Sequence, residues 1–372
     1  MIMKFEIQKY ELLNALNTVS PVVSKKSSMD IIKGIYLKCW PGLIEIKATD
    51  LALSIKTEVY LGQNKIDKPG EVVFPLKFVD IINALPSDKI FIEVDDNYQA
   101  TIKCKNSKFK MSCLDADQFP ELPTVNDPEK INVDMKKLNI WLNKVLIAVS
   151  NNKTDEPFKT GVLFENNYMV ATDIYKMSVV KTNINMNNKK VVLPADSLKV
   201  IKKIINGNKN DNKCDLDMII SNNYVKFIVA GAEITTSVIE TNYPNYKNII
   251  PEDFKTEIKV DRKLLADAIK RLMLVSDEKI KLSVGQDENL ISVDYIEIET
   301  YGDGKNESAK EIVPALINGE QKQVIAVNDR YLFNCLQILD SDEVNVKLIN
   351  GFNPICIIEE NFTHLIMPLR TN

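Results

Sequence analysis

A threefold internal repeat is the feature that most constrains how this 372-residue chain can fold. Segments that start at Phe5, Ile131 and Ile258 each open with a short alternating stretch, typical of a strand, and continue with apolar residues at helical spacing. The apolar positions agree in three sets, which are Ile7, Leu12, Leu16 and Val19; Val133, Leu138, Leu142 and Val145; and Val260, Leu265, Ile269 and Leu272. This agreement predicts three equivalent units, each beginning with a strand and an amphipathic helix.

A second segment recurs further along each unit. The stretches EVVFPLKFVDIINAL, KVVLPADSLKVIKKII and QVIAVNDRYLFNCLQIL each indicate a strand, a short break and a helix with one apolar side. Pro75 and Pro194 occupy the break in the first two copies, and Val327 takes that place in the third. We expect the prolines in the first helical turn, where a missing N–H removes no hydrogen bond.

Two shorter matches complete the pattern. Asp50 and Asp173, each preceded by threonine, lie in the related stretches LIEIKATDLALSI and YMVATDIYKMSVV, and DADQFPELP corresponds to ETNYPNYKNIIP. Two aspartates could be read as paired catalytic carboxylates. Their equivalent places in successive repeats favour a structural turn instead.

The order of these segments divides the chain near 1–125, 126–252 and 253–372. Each third is predicted as an α+β domain with two helices packed on antiparallel sheet. Three such domains in one chain suggest an arc, and two arcs joined head to tail would close into a ring. An open filament is the alternative.

Composition narrows the function further. The net charge is −4, so a nucleic-acid-binding chain of this kind would have to confine its positive charge to one face. The six cysteines are scattered and His364 is the only histidine, which predicts free buried thiols and neither a metal site, a cofactor nor a catalytic triad. The stretch 302–305, Gly-Asp-Gly-Lys, lacks the spacing of a phosphate-binding loop and suggests a hairpin.

The N-terminus carries charges too early for a secretory signal, and no run of about 20 apolar residues occurs. We therefore expect a cytoplasmic protein without a membrane segment.

Several segments, taken in order along the whole chain, resemble the bacterial DNA sliding clamp family, the β subunit of DNA polymerase III. They are VVFPLKFVDIINALP, KFKMSCLDADQFPELP, GVLFENNYMVATDIYKMSVV, ETNYPNYKNIIP and the ending HLIMPLRTN. The resemblance implies three topologically equivalent domains per subunit and a head-to-tail homodimeric ring around duplex DNA. It implies a processivity factor of DNA replication, a non-catalytic subunit of a DNA-directed DNA polymerase holoenzyme.

The resemblance also implies a positively charged inner surface that contacts double-stranded DNA without reading its sequence. The corresponding residues are Lys26, Lys77, Lys136, Lys137, Lys144, Lys199, Lys202, Lys203, Lys263, Lys270 and Arg271. The alternative interpretation is that these side chains belong to ordinary solvated helix faces.

A second implied site is a hydrophobic pocket that takes a short peptide with a glutamine and bulky apolar side chains. Its partners would be the polymerase III α subunit, the clamp loader, other polymerases and repair proteins. The matching residues are Thr172, Ile174, Lys176, Met177, Pro244, Asn248, Ile249, Leu365, Ile366, Met367, Pro368, Leu369 and Arg370. Here Ile174-Tyr175-Lys176-Met177 replaces the family's usual Gly-His-Arg-Leu. The alternative is that the Leu365–Leu369 run is a core strand.

For ring closure, the resemblance implies an interface that involves Phe109 and Met111 of the first domain with Leu274 and Val275 of the third. Packing inside each domain is the alternative for these four residues. Two rival functions remain at this point: a repeat scaffold that binds only proteins, and an enzyme that uses Asp50 or Asp173.

Overall fold

The structure is a computed structural model that describes residues 1–24, 26–62, 65–125, 130–207, 215–287, 293–300, 308–320 and 322–370. It is an α+β protein in which the same order of strands and helices occurs three times.

The first repeat holds nine strands and two helices. They are β1 (Met3–Gln8), α1 (Lys9–Val19), β2 (Gly34–Trp40), β3 (Leu43–Thr49), β4 (Leu53–Tyr60), β5 (Ile66–Lys68), β6 (Gly70–Pro75), α2 (Lys77–Ala84), β7 (Lys89–Val94), β8 (Gln99–Cys104) and β9 (Ser107–Ser112).

Among its described residues, the central repeat shows no counterpart of β5. It contains β10 (Lys130–Asp134), α3 (Met135–Leu146), β11 (Gly161–Glu165), β12 (Tyr168–Thr172), β13 (Lys176–Lys181), β14 (Lys190–Pro194), α4 (Ala195–Gly207), β15 (Asp215–Ile220), β16 (Tyr224–Val229) and β17 (Ala232–Ser237).

The third repeat follows the same plan. It contains β18 (Thr256–Asp261), α5 (Arg262–Leu272), β19 (Lys279–Asp287), β20 (Val293–Thr300), β21 (Lys310–Gly319), β22 (Val324–Asn328), α6 (Asp329–Ile338), β23 (Glu343–Leu348), β24 (Ile355–Glu359) and β25 (Phe362–Ile366).

The repeated apolar positions explain why these helices form. All twelve residues of the three matched sets are buried. Nine of them lie on α1, α3 and α5, where the 3.6-residue period puts them on one helix side, and Ile7, Val133 and Val260 lie on the preceding strands. The predicted three-domain α+β fold is therefore confirmed. The prediction for the prolines is wrong: Pro75 and Pro194 are the last residues of β6 and β14, where they end the strand before the helix starts.

The chain packs as two compact units, residues 1–137 with 196–238, and residues 138–195 with 239–372. The first unit contains a five-stranded sheet of order β5-β1-β7-β8-β9 and an eight-stranded sheet of order β10-β15-β16-β17-β4-β3-β2-β6. The second contains a twelve-stranded sheet of order β14-β11-β12-β13-β25-β24-β23-β18-β21-β20-β19-β22.

One strand pairing recurs in both units. The last strand of the central repeat, β17, pairs antiparallel with the fourth strand of the first repeat, β4. The last strand of the third repeat, β25, pairs in the same way with the fourth strand of the central repeat, β13. Each pairing extends one sheet across two repeats.

The cysteines of the described residues are free and buried. Burial raises the pKa of Cys113 and Cys356 to about 12, so these thiols stay protonated at neutral pH. Cys214 and the stretch 302–305 lie outside the described residues.

Candidate peptide and nucleic-acid interfaces

A tight turn joins β12 to β13 at the centre of the predicted peptide site. Asp173 Oδ1 accepts hydrogen bonds from the backbone N–H groups of Tyr175 at 3.0 Å and Lys176 at 2.9 Å. Thr172 Oγ1 accepts from the N–H of Ile174 at 3.0 Å and donates to the carbonyl of Lys176 at 2.9 Å. The Oδ1 atom of Asp173 is thus occupied by hydrogen bonds from the backbone of its own turn, as is common for aspartates in turns.

The equivalent turn between β3 and β4 has the same construction. Asp50 Oδ1 accepts from the N–H groups of Ala52 and Leu53, and Thr49 Oγ1 accepts from the N–H of Leu51 and donates to the carbonyl of Leu53. The structural role predicted for both aspartates is confirmed by these bonds.

The C-terminal strand and tail lie beside the second turn. Met177 and Leu365 are paired across β13 and β25, and both are buried in one apolar cluster with Val170 and Tyr243. Beyond β25, the N–H of Met367 donates to the carbonyl of Tyr175 at 2.8 Å. This bond holds the tail against the turn.

The predicted pocket residues separate into a buried and an exposed set. The buried set, which confirms a core-strand interpretation for part of the C-terminal run, is Thr172, Met177, Leu365 and Ile366. The exposed or half-buried set is Ile174, Lys176, Pro244, Asn248, Ile249, Met367, Pro368, Leu369 and Arg370. We refer to the buried set as the floor of the predicted site and to the exposed or half-buried set as its rim.

The sequence did not predict one residue beside the rim, Tyr331. The ammonium of Lys176 lies 4.1 Å from the ring centroid of Tyr331 and 2.8 Å from Asp173 Oδ2. Burial, followed by the nearby Asp173 carboxylate, raises the pKa of Tyr331 above its ordinary value. Tyr331 belongs to α6, far from Lys176 in sequence, and no local pattern signals this contact.

The equivalent place in the first unit has a different character. The pair Ser54–Thr235, across β4 and β17, stands where Met177–Leu365 stands across β13 and β25. Next to it, Lys56 faces Glu233. The same scaffold therefore holds a buried polar pair at one pairing and a buried apolar pair at the other.

Most of the predicted DNA-facing residues are exposed on helices. Exposed members are Lys26, Lys77, Lys136, Lys137, Lys199, Lys203, Lys263, Lys270 and Arg271, and Lys202 is half-buried. Two of them already have acidic partners: Lys199 lies 3.2 Å from Asp196, and the guanidinium of Arg271 makes two hydrogen bonds to Glu311. Partial burial lowers the pKa of Lys202.

The prediction that Lys144 faces DNA is wrong. Its side chain is buried, and its ammonium lies 2.8 Å from both Asp340 Oδ2 and Glu359 Oε2. Burial acts to lower the pKa of Lys144, but hydrogen bonds to the two carboxylates outweigh it and raise that pKa. Because this charge is fully compensated inside the fold, it is not available to a phosphate.

The predicted ring-closure residues lie on accessible surfaces. Phe109 is exposed and Met111 half-buried on β9, an edge strand of the five-stranded sheet. Leu274 follows α5 with 83% of its surface exposed, and Val275 beside it is half-buried.

No group of histidine, cysteine, aspartate or glutamate side chains within the described ranges is arranged to hold a metal ion. Among the helices that the structure describes, none has the length and apolar character needed to cross a membrane.

Comparison with solved structures gives the class of fold. The DNA polymerase sliding clamp from Bacillus subtilis is 27% identical, with a TM-score of 0.89 and all of both chains covered. A putative DNA polymerase III beta subunit from Eubacterium rectale is 25% identical, with a TM-score of 0.89 over 99% of this chain and 100% of that one. The fold is that of a sliding clamp.

Sequence comparison gives the family. Models of the N-terminal, central and C-terminal domains of the DNA polymerase III beta subunit match residues 3–123, 132–245 and 247–370. The beta sliding clamp of Staphylococcus aureus is 29% identical over the full length of both chains. The chain belongs to the DNA polymerase III beta subunit family.

Proposed function

We propose that this protein is a replication processivity factor that closes with a second copy, head to tail, into a ring around duplex DNA and tethers DNA polymerase III there. One observation carries the proposal. The pairing between the last strand of one repeat and the fourth strand of the preceding repeat occurs twice, and among the described residues it leaves one last strand and one fourth strand with an open edge.

The last strand with an open edge is β9, whose only strand partner in the described part of the chain is β8. The fourth strand with a partly open edge is β21. Its residues Lys310–Pro314 pair with β20 on one side, while only Ala315–Gly319 pair with β18. An open strand edge is a template for another chain.

A β9–β21 pairing between two copies would repeat the pairings of β17 with β4 and of β25 with β13. Each copy offers one β9 edge and one β21 edge, so two copies can form this pairing twice. Two such pairings would close a head-to-tail dimer. Ile312 on β21, Phe109 on β9 and Leu274 after α5 are exposed apolar side chains that such an interface would cover.

We propose that DNA is held by the exposed lysines of the helices and not by base contacts. Lys136, Lys137, Lys263 and Lys270 have no acidic partner among the described residues, so their charge can meet phosphates. Phosphate contacts carry no sequence information, which is what a clamp that slides requires.

We propose that the apolar floor of Met177 and Leu365, with its rim of Ile174 and Met367, binds a linear peptide of partner proteins. We expect such a peptide in the polymerase III α subunit, the clamp loader, other polymerases and repair proteins. Methionine suits several partners because its flexible side chain adapts to different shapes. The polar pair Ser54–Thr235, which stands at the equivalent place in the first unit, supports one such site per chain.

The remaining assignments follow from this function. We propose a non-catalytic subunit of a DNA-directed DNA polymerase holoenzyme that acts in the cytoplasm, needs no cofactor and has domain boundaries near residues 125 and 252. The hydrogen bonds that occupy Asp50 and Asp173 support the absence of catalysis at these residues.

The decisive experiment is retention on DNA. A matching clamp loader places the labelled protein on nicked circular DNA, excess protein is removed, and a restriction enzyme then cuts the circle. A ring leaves the linear ends within minutes, but it stays on uncut circles and on linear DNA with blocked ends. Equal retention on cut and uncut DNA would contradict the proposal, and no association in any arm would favour a scaffold that binds only proteins.

A further inference from the structure

The turn that borders the proposed peptide site contains a residue in an unfavourable conformation. Ile174 has a φ of 74°, in the left-handed region that β-branched residues rarely adopt. Glycine would occupy this position without strain. Thr172 and Asp173 already close the turn through their own side chains, so the turn does not depend on isoleucine.

Packing inside the chain does not account for Ile174 either. Its side chain keeps 51% of its surface exposed. An exposed aliphatic side chain in a strained conformation contributes little to folding, but Leu51 has the same strain and exposure, so these two features alone do not indicate binding. Its surroundings point to what it would bind.

Ile174 adjoins an accessible apolar surface. The following residue, Tyr175, is exposed, and its carbonyl accepts the hydrogen bond from Met367, which is 37% exposed. The buried Met177–Leu365 pair continues this surface inward. Three accessible apolar side chains, Ile174, Tyr175 and Met367, thus lie on segments that adjoin the buried Met177–Leu365 pair.

We propose that Ile174 is a specificity-determining residue of the peptide site: it narrows the site so that a slender aliphatic anchor is preferred to an aromatic one. This inference rests on the peptide surface proposed above. The reason is steric, because a branched side chain with four carbons fills space that glycine would leave open to a phenyl ring.

The first unit provides a matched control. Leu51 occupies the equivalent turn position with a φ of 77° and 54% exposure, but its neighbouring strand pair is the polar Ser54–Thr235. Leu51→Gly therefore removes an exposed side chain from the same kind of turn away from the peptide surface.

The test uses fluorescein-labelled synthetic peptides that contain one glutamine and two leucines, with each leucine in turn replaced by phenylalanine. Fluorescence anisotropy gives the ratio of dissociation constants for the full-length protein, Ile174→Gly, Ile174→Ala and Leu51→Gly. We expect at least one leucine to be preferred by about tenfold in the unaltered protein and in Leu51→Gly. In Ile174→Gly the preference should fall to about twofold or less, with Ile174→Ala in between.

Thermal unfolding shows that the variants are folded: the midpoint of Ile174→Gly should be unchanged or higher, because glycine relieves the strain. Peptide binding with the same leucine-to-phenylalanine ratio in all four proteins would overturn this inference alone. Absence of binding by any peptide to the unaltered protein would overturn the proposed peptide surface as well.

Discussion

Ser178 Oγ lies 2.8 Å from His364 Nδ1, in a fully buried pair across β13 and β25. The equivalent pair across β4 and β17 is Ile55–Ile234, which is apolar. Burial, and then the nearby Lys176 ammonium, lowers the pKa of His364 to about 3. The imidazole is therefore neutral in the folded chain at all ordinary pH values.

This pair predicts a pH dependence of stability. His364 takes up a proton near pH 6.5 in the unfolded chain but only near pH 3 in the folded one, so protons favour unfolding between these values. Its contribution to the free energy of unfolding is complete above pH 6.5. We expect that contribution to fall by up to about 1.4 kcal/mol per pH unit as the pH decreases toward 3.

Urea unfolding at pH 7.5, 6.5, 5.5 and 4.5 measures this effect. Because His364 is the only histidine, a double variant Ser178→Ala with His364→Leu should flatten the dependence between pH 6.5 and 5.5. A slope that the double variant retains would show that other groups cause it.

Removing Lys144 should weaken the fold and leave DNA contacts unchanged. Lys144→Met leaves the half-buried Glu359 without its cation, and we expect a loss of about 3 kcal/mol in the free energy of unfolding. Lys137→Met, at an exposed position of the same helix, should cost less than about 0.5 kcal/mol. Chemical unfolding compares the two, and equal small losses would contradict the compensated buried charge.

The exposed lysines should govern the salt dependence of DNA binding. For each of Lys263→Ala and Lys270→Ala, we expect the slope of log affinity against log salt to fall by about 1. Filter binding on short duplexes at several salt concentrations gives the slope. Lys144→Met is the control with an unchanged slope. Unchanged slopes in all three variants would exclude α5 from the DNA-binding surface.

A charge at the proposed ring interface should separate the subunits. Leu274→Asp places a carboxylate on an apolar surface that dimer closure would bury, so sedimentation velocity should show a monomer. The matched control is Phe352→Asp, since Phe352 is 85% exposed in the loop between β23 and β24. A Leu274→Asp protein that remains dimeric would exclude this interface.

Met367 can be tested without disturbing the sheet. Leu365 and Ile366 lie within β25, so removing them would damage the pairing with β13, whereas Met367 is the first residue beyond the strand. Met367→Asp should weaken peptide binding by about tenfold or more through loss of apolar contact. Ser237→Asp, at the equivalent position, which is the last residue of β17, is the control that should leave affinity unchanged.

Local periodicity explains how much could be predicted. The helix faces and the repeat were readable because residues such as Leu12, Leu138 and Leu265 recur at the spacing that one helix side requires, and all are buried. The turn role of Asp50 and Asp173 was predictable for the same reason, since their bonds reach only two and three residues ahead.

The sequence by itself determined the α+β repeats, their helix faces and their turns, because each depends on residues close together in the chain. Only the tertiary structure decided that Lys144 is enclosed by Asp340 and Glu359, and that Tyr331 lies beside Lys176. It also decided that Met177 pairs with Leu365 across β13 and β25, whereas the equivalent pair across β4 and β17 is Ser54 and Thr235. These are pairings between distant segments, and burial, charge and surface character depend on which side chains the fold makes neighbours.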